Sequence, residues 1–186
     1  MSRRVRQFLD DPNSRRRAIC VLSEAGSGKT TCLRRVAYDF VQEGQTVLFL
    51  NSRGDLDIDN AAVCFTQIAR PFVVVIDGLA DHVSTVRALL TNPGVTRPFI
   101  VLSAERQYRQ AHIDRLLGDL ALEFTGMSSW PRAALTQLIE KYRQYGLVGA
   151  GDAIKYPEKY ADELRGEAVA IVTCRILNNF RPLDKL

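Results

Sequence analysis

The sequence has no apolar run near the roughly 20 residues that a membrane span requires. Its first residues, "MSRRVRQFLDD", are basic with no apolar stretch behind them, so no secretory signal and no membrane partner are expected. Histidine is scarce: His82 and His112 are too few for a histidine-based metal site. The four cysteines, Cys20, Cys32, Cys64 and Cys174, are scattered and form no CxxC pair. That argues against zinc or a disulfide framework, and for structural thiols in a reducing, cytoplasmic setting. Internal repeats and low-complexity tracts are absent.

What is present is an ordinary globular balance, 46% hydrophobic and 25% charged over 186 residues. That is enough for a real core, with room for one domain and the start of a second. The net charge of +4 is mild, and arginine dominates it in two clusters, Arg3-Arg4-Val5-Arg6 and Arg15-Arg16-Arg17. Such clusters can contact nucleic acid or an acidic partner. Neither is interleaved with aromatics, so the expectation is a solvated N-terminal helix and a lead-in to a buried strand.

Hydrophobic runs alternate with helical patterns along the chain. Residues 18–23, 46–51, 71–77 and 99–103 read as strands, and 120–126 as a fifth at the sheet edge. Four consecutive β-branched residues in "PFVVVID" predict burial on both faces, as in a parallel sheet. Helical spacing covers 29–44, where Leu33, Val36, Ala37, Phe40 and Val41 share a face, and recurs at 60–69, 81–90, 108–118 and 129–146. Residues 160–180 read as one or two further helices. The plan is α/β: a parallel five-stranded sheet flanked by helices, with a short helical segment at the C-terminal end. The division is expected as a core over 1–146, whose first 16 residues form a basic arm, and a helical subdomain starting at 147.

One stretch carries chemistry. "SEAGSGKTT", residues 23–31, lies between a buried strand and an amphipathic helix. Gly26 and Gly28 can take positive φ and bring backbone N–H groups against a phosphate, forming an anion nest with Ser27 between them. The start of the next helix adds unpaired N–H groups and its dipole. Lys29 can reach the β- and γ-phosphates, and Thr30 can offer its hydroxyl to Mg²⁺, with Thr31 beside it. Ser23 replaces the first glycine of the usual G-x-x-x-x-G-K-[ST] pattern, at a position that only begins the turn. The competing reading is a plain Gly-Ser turn before a helix. Glu24, within the loop, is a weaker candidate for orienting water.

A second element supports the first. Asp77 ends the "PFVVVID" strand, where ligands gather in open parallel sheets, and its carboxylate can hold the metal. Asp81, four residues on, can orient the attacking water; it can equally cap the following helix. At the next strand end, "IVLSAER", Ser103 can bond the γ-phosphate or the water, and Arg106 can pair with phosphate charge. Alternatively these two are a helix start and a solvated arginine. The expected catalytic set is therefore Lys29, Asp77, Asp81 and Arg106. The expected nucleotide-binding set is Gly26, Ser27, Gly28, Lys29, Thr30, Thr31 and Ser103, and the expected metal ligands are Thr30 and Asp77.

These three stretches together, "SEAGSGKTTCLRRVAYDF", "PFVVVIDGLAD" and "FIVLSAER", resemble the STAND class of P-loop NTPases near its NACHT branch, within the additional-strand group related to AAA+ proteins. The resemblance covers about residues 17–125. It implies that the Ser103 strand lies between the phosphate-loop strand and the Asp77 strand. It implies ATP or ADP with Mg²⁺ as ligands, and a module of a larger signalling or defence protein that self-associates or works with other domains. The magnesium strand of that class often ends DGLDE; here Ala80 and Asp81 occupy the last two positions, a change that bears on hydrolysis more than on binding. The class often carries an arginine close behind the third strand, a place Arg106 fills loosely.

Two functions follow from the resemblance. The chain is a weak ATPase, or a nucleotide-gated switch and assembly domain in which slow hydrolysis only resets the lid. Ala80 and the short Asp81 side chain lean to the switch. No clear arginine finger occurs in the chain, although Arg53, Arg87 or Arg109 can act on a neighbouring subunit. The alternative is a DNA-dependent ATPase of the loader or transposition-helper type, using the N-terminal arginines on phosphates. A small-molecule kinase would need a substrate pocket and an arginine-rich lid that the sequence does not offer. No Asn/Thr-Lys-x-Asp stretch occurs, so ATP is expected over GTP.

Overall fold

The computed structural model describes residues 1–11, 15–50, 56–120, 122–126, 130–148, 156–167 and 169–177. Five strands make one parallel sheet: β1 (Arg17–Ser23), β2 (Val47–Phe49), β3 (Phe72–Asp77), β4 (Phe99–Arg106) and β5 (Leu122–Gly126), in the order β2-β3-β4-β1-β5. β4 lies between β1 and β3, as the resemblance implied. β5 is the edge strand expected from its sequence. The register sets Ser23 opposite Arg106 and Asp77 opposite Ala104, so three strand ends finish at nearly one level.

Parallel strands need crossovers, and helices supply them. α1 (Ser2–Asp10) precedes β1, and α2 (Lys29–Gln42), α3 (Ile58–Thr66), α4 (Val83–Thr91) and α5 (Gln110–Leu117) lie between strands. α2 buries Leu33, Val36, Ala37 and Phe40, the face that its spacing predicted. Pleating then divides the sheet into two faces. Ile19, Val21, Val73, Val75, Ile100, Leu102 and Ala104 join the α1 and α2 side chains in one cluster. Cys20, Leu22, Val74, Ile76 and Val101 join α3, α4 and α5 in the other, where Phe65 packs edge-on against Phe72 and Phe99. β3 is buried through Ile76 and emerges at Asp77.

Element limits differ locally from the sequence reading. β4 runs three residues beyond Ser103, absorbing Ala104, Glu105 and Arg106, because β1 pairs with it as far as Arg106 and β3 as far as Ala104. α3 starts earlier than expected: Asp57 accepts hydrogen bonds from Asp59 N–H at 3.1 Å and Asn60 N–H at 3.0 Å, a side-chain cap within a stretch read as loop.

The chain divides into two compact units, Met1–Ser23 with Lys29–Met127, and Glu24–Gly28 with Ser128–Leu186. The second contains α6 (Arg132–Gln144), α7 (Pro157–Glu163) and α8 (Val169–Leu177). Its core joins Leu135 and Ile139 of α6 to Ala161, Leu164, Val172 and Ile176. This shared core groups α6 with the later helices. Among the described residues no helix is long and apolar enough to cross a membrane.

The N-terminal arginines are drawn into the first unit. Arg4 pairs with Glu123, and Arg6 with Glu43. Arg16 donates to the carbonyls of Leu89 and Asn92 at 3.3 and 2.5 Å, and Arg17 lies over the Phe8 ring. Four of the six clustered arginines thus have partners within the fold, where the sequence reading expected a solvated helix and a strand lead-in.

Candidate functional site

In the first unit the site begins where β1 stops. Ser23 is buried, and its carbonyl accepts the Lys29 ammonium at 3.0 Å, so the lysine at the start of α2 folds back over the strand end. One residue on, the Thr30 hydroxyl donates to Asp77 Oδ2 at 2.8 Å. That contact joins the helix after the loop to the end of β3, two elements 47 residues apart in sequence. The strand alternation explains it: Val73 and Val75 face α2, and so Asp77 does too. Asp77 is exposed at its strand end, and Thr31 is exposed on the first turn of α2.

The pair presents hydroxyl and carboxylate oxygens to solvent. These are the hard donors that Mg²⁺ takes, one or two from protein with water or phosphate completing the shell. The residues therefore fit the metal that the fold implies. Beside them opens a cleft of about 360 Å³ lined by Thr30, Leu33, Arg34, Phe49, Leu50, Val75 and Asp77.

In the second unit, Gly26 and Gly28 adopt φ of 72° and 82°, the left-handed region that the nest requires and that only glycine enters cheaply. Ser27, between them, is half-buried. The Gly26 carbonyl accepts the Ala170 N–H of α8 at 2.9 Å. A Cβ on Gly26 would meet Ala170 Cβ at 2.9 Å, closer than two methyl carbons approach.

Ser103 is placed elsewhere. It is wholly buried, faces the Cys20 side of the sheet and donates to the Ile19 carbonyl at 3.3 Å. It sits one residue before the level of Asp77 and on the opposite face, so it is not brought together with Lys29, Thr30 and Asp77. Its surroundings push the Cys20 thiol up to about 11, through burial. Arg106, the last residue of β4, is exposed; by alternation it shares the face of Asp77, and its guanidinium lies 3.5 Å from the Tyr108 hydroxyl. Asp81 closes a short 3-10 turn, Leu79–Asp81, after Gly78 at φ 79°. It does not cap α4, whose N-cap is His82; its carboxylate binds Arg109 at 2.5 Å instead. That guanidinium, through its hydrogen bond, holds Asp81 below the usual carboxylate range.

Of the arginines considered as fingers, Arg87 forks onto Asp119 with both contacts at 2.7 Å, and Arg109 is held by Asp81 and Glu105. Arg53 lies outside the described residues.

The sequence reading missed Glu105. It is 4% exposed, next to Arg106, with Oε2 accepting Ala80 N–H at 2.9 Å and Oε1 accepting Arg106 N–H at 2.7 Å. A signal was available: in "FIVLSAER" alternation puts Phe99, Val101, Ser103 and Glu105 on one inward face, so a carboxylate was being buried.

A parallel sheet with β4 between β1 and β3, a glycine loop between β1 and α2 in the sequence, and a strand-end aspartate bonded to the helix after that loop together define a P-loop NTPase module. Within that class, the chain belongs to the family described as Novel STAND NTPase 5, which residues 1–117 match. No curated protein matches the sequence significantly. Among solved structures, one titled for katanin self-assembly is similar with a TM-score of 0.52 and 20% identity, over 92% of this chain and 60% of that one. The ORC1 protein of Aeropyrum pernix, in complex with DNA, gives 0.51 and 13% over 92% and 56%. The replication initiator DnaA bound to AMPPCP and single-stranded DNA gives 0.51 and 14% over 97% and 61%. These likenesses concern the fold. The chain spans between 56% and 61% of the length of these three solved chains.

Proposed function

We propose that this chain is an Mg-ATP-binding switch and assembly module of a larger signalling or defence protein, of the NACHT-like kind, and that it hydrolyses ATP slowly. The observation that carries the reading is the 2.8 Å bond between Thr30 and Asp77, which pairs a metal-type hydroxyl with a metal-type carboxylate at the start of the loop's helix. In this reading Mg²⁺ is held by those two residues and supplies charge neutralisation at the phosphates. Lys29 binds the β- and γ-phosphates, the amides around Gly26, Ser27 and Gly28 cradle them, and Thr31 extends the polar rim. Arg106 answers charge on the terminal phosphate from the end of β4, and Asp81 orients the attacking water.

Two features favour holding nucleotide over rapid turnover. Ala80 stands where the resemblance leads one to expect an acidic residue, and Asp81 is already occupied by Arg109. A third supports a switch: the loop and α8 share the Gly26–Ala170 bond within one unit, so a ligand that reshapes the loop acts on that helix directly. A DNA-dependent ATPase is the less supported alternative, because most of the N-terminal arginines are engaged within the fold.

The test is to purify the chain, measure its bound nucleotide and steady-state turnover with Mg²⁺, and follow its size with and without ATP. Retained nucleotide, slow turnover and an ATP-dependent increase in size fit the proposal. Turnover stimulated severalfold by DNA, with no change in size, would replace it with the alternative.

A further inference from the structure

Glu105, which the proposed function leaves without a role, stands behind the Arg109 that occupies Asp81. A buried carboxylate persists only where hydrogen bonds and opposite charge replace water. Glu105 has both: the two backbone N–H groups of Ala80 and Arg106, and Arg109 Nη1 at 3.5 Å. The other end of the same guanidinium holds Asp81 Oδ1 at 2.5 Å. Arg109 therefore spans one carboxylate that is 4% exposed and one that is 63% exposed. Its planar fork suits this double contact in a way a lysine would not. The remaining Asp81 oxygen folds over the backbone after Asp77, where a Cβ on Gly78 would meet it at 3.5 Å.

We infer that Arg109, anchored on the buried Glu105, is a positioning residue that keeps the Asp81 carboxylate paired and restrained, and that releasing it speeds hydrolysis. This rests on the proposed role of Asp81. In that reaction water adds its oxygen to the γ-phosphorus. The bond from that phosphorus to the β–γ bridging oxygen breaks, its electron pair leaving with ADP, and the water's proton passes to Asp81. A carboxylate clamped by a guanidinium takes a proton less readily than a solvated one. The two ends of Arg109 differ in kind: the Asp81 pair is exposed and open to water, and Glu105 is a buried anion whose charge favours a guanidinium nearby. Arg109 donates its hydrogen bond to Asp81 at 2.5 Å and stands 3.5 Å from Glu105, whose buried charge keeps the guanidinium at that end. The titratable groups acting on Asp81 are Arg109 and His82, with Glu105 behind Arg109.

The experiment measures ATP turnover with Mg²⁺, binding of a fluorescent ATP analogue and melting temperature. It compares the parent chain with Arg109→Gln, Glu105→Gln, Asp81→Asn and the Arg109→Gln/Asp81→Asn double variant. Arg109→Gln is expected to raise kcat about three- to tenfold with KM unchanged, and to move the acid limb of the pH–rate profile upward. Glu105→Gln keeps an acceptor for Ala80 but loses the charge, and raises kcat less. The double variant falls to the level of Asp81→Asn alone. Parental or lower kcat in a folded Arg109→Gln protein, or a gain that survives in the double variant, overturns the inference. If Arg109→Gln does not fold, Glu105→Gln decides by the same criterion. A parent that binds and turns over ATP with no response to either change loses only this inference; a parent that binds no nucleotide loses the proposed function as well.

Discussion

The ends of β3 and β4 lie side by side, and each carries a carboxylate with a different task. Asp77 emerges exposed, with a neighbouring hydroxyl donating to it and a cleft beside it. Glu105 is buried, with two backbone N–H groups and a guanidinium about it. The strand alternation alone separates them: Asp77 falls on the α2 face, and Glu105 falls on the face that packs α3, α4 and α5. The difference teaches that an acidic residue at a strand end is a candidate ligand only when its oxygens keep room for one. A saturated carboxylate holds protein in place instead.

Crossed readouts break this comparison most directly. Asp77→Asn keeps an acceptor for Thr30, so the fold should survive with an unchanged melting temperature. Mg²⁺-dependent ATP turnover should fall on the order of 100-fold, as measured by phosphate release. Glu105→Ala should do the reverse at first order. It leaves the Ala80 N–H buried without its acceptor, so chemical denaturation should show a loss of about 1–3 kcal/mol, while affinity for the ATP analogue changes little. Stability loss at Asp77 and none at Glu105 would invert the assignment.

A smaller effect sharpens the contrast at the buried face, where Cys20 lies under Ser103. Burial raises the Cys20 thiol from 9.0 to about 11, so the folded state keeps the proton that the unfolded chain gives up first. Its contribution is full below pH 9, and is lost as pH rises through about 11. Unfolding measured at pH 8 and again near the folded value should show a loss on the order of 1 kcal/mol that Cys20→Ala removes. At pH 8 a thiol reagent should label the exposed Cys64 and Cys174 and spare Cys20 until the chain unfolds. Equal labelling of Cys20 in the folded chain would show that this face is open.

Much of the fold was legible because its signals are local. The β-branched run at 73–76, the helical spacing at 33–40 and the glycine loop just before that helix specify a strand, a helix and a phosphate-type turn without reference to distant residues. The pairing of Thr30 with Asp77 was also within reach, since each motif predicts the other. What escaped depends on register. Ser103 was judged by its nearness to a strand end, but β4 continues three residues further, which sinks Ser103 into the sheet and brings Arg106 to the rim. The alternation in "FIVLSAER" already points Glu105 inward, but the pairing of Arg109 with Asp81 has no sequence pattern, because it needs the turn after β3 and the turn before α5 to meet. Which core Leu135 and Ile139 join was likewise not legible, since their spacing marks an amphipathic face without naming its partner.

The proposed function requires that Lys29 and its neighbours hold a triphosphate. The most direct measurement is the affinity of a fluorescent ATP analogue, with Mg²⁺ present, for the parent chain and for Lys29→Ala, with melting temperatures confirming that both are folded. The account predicts that Lys29→Ala weakens binding by roughly tenfold or more, losing charge-assisted contacts to two phosphates. Equal affinity of the two folded proteins would contradict it.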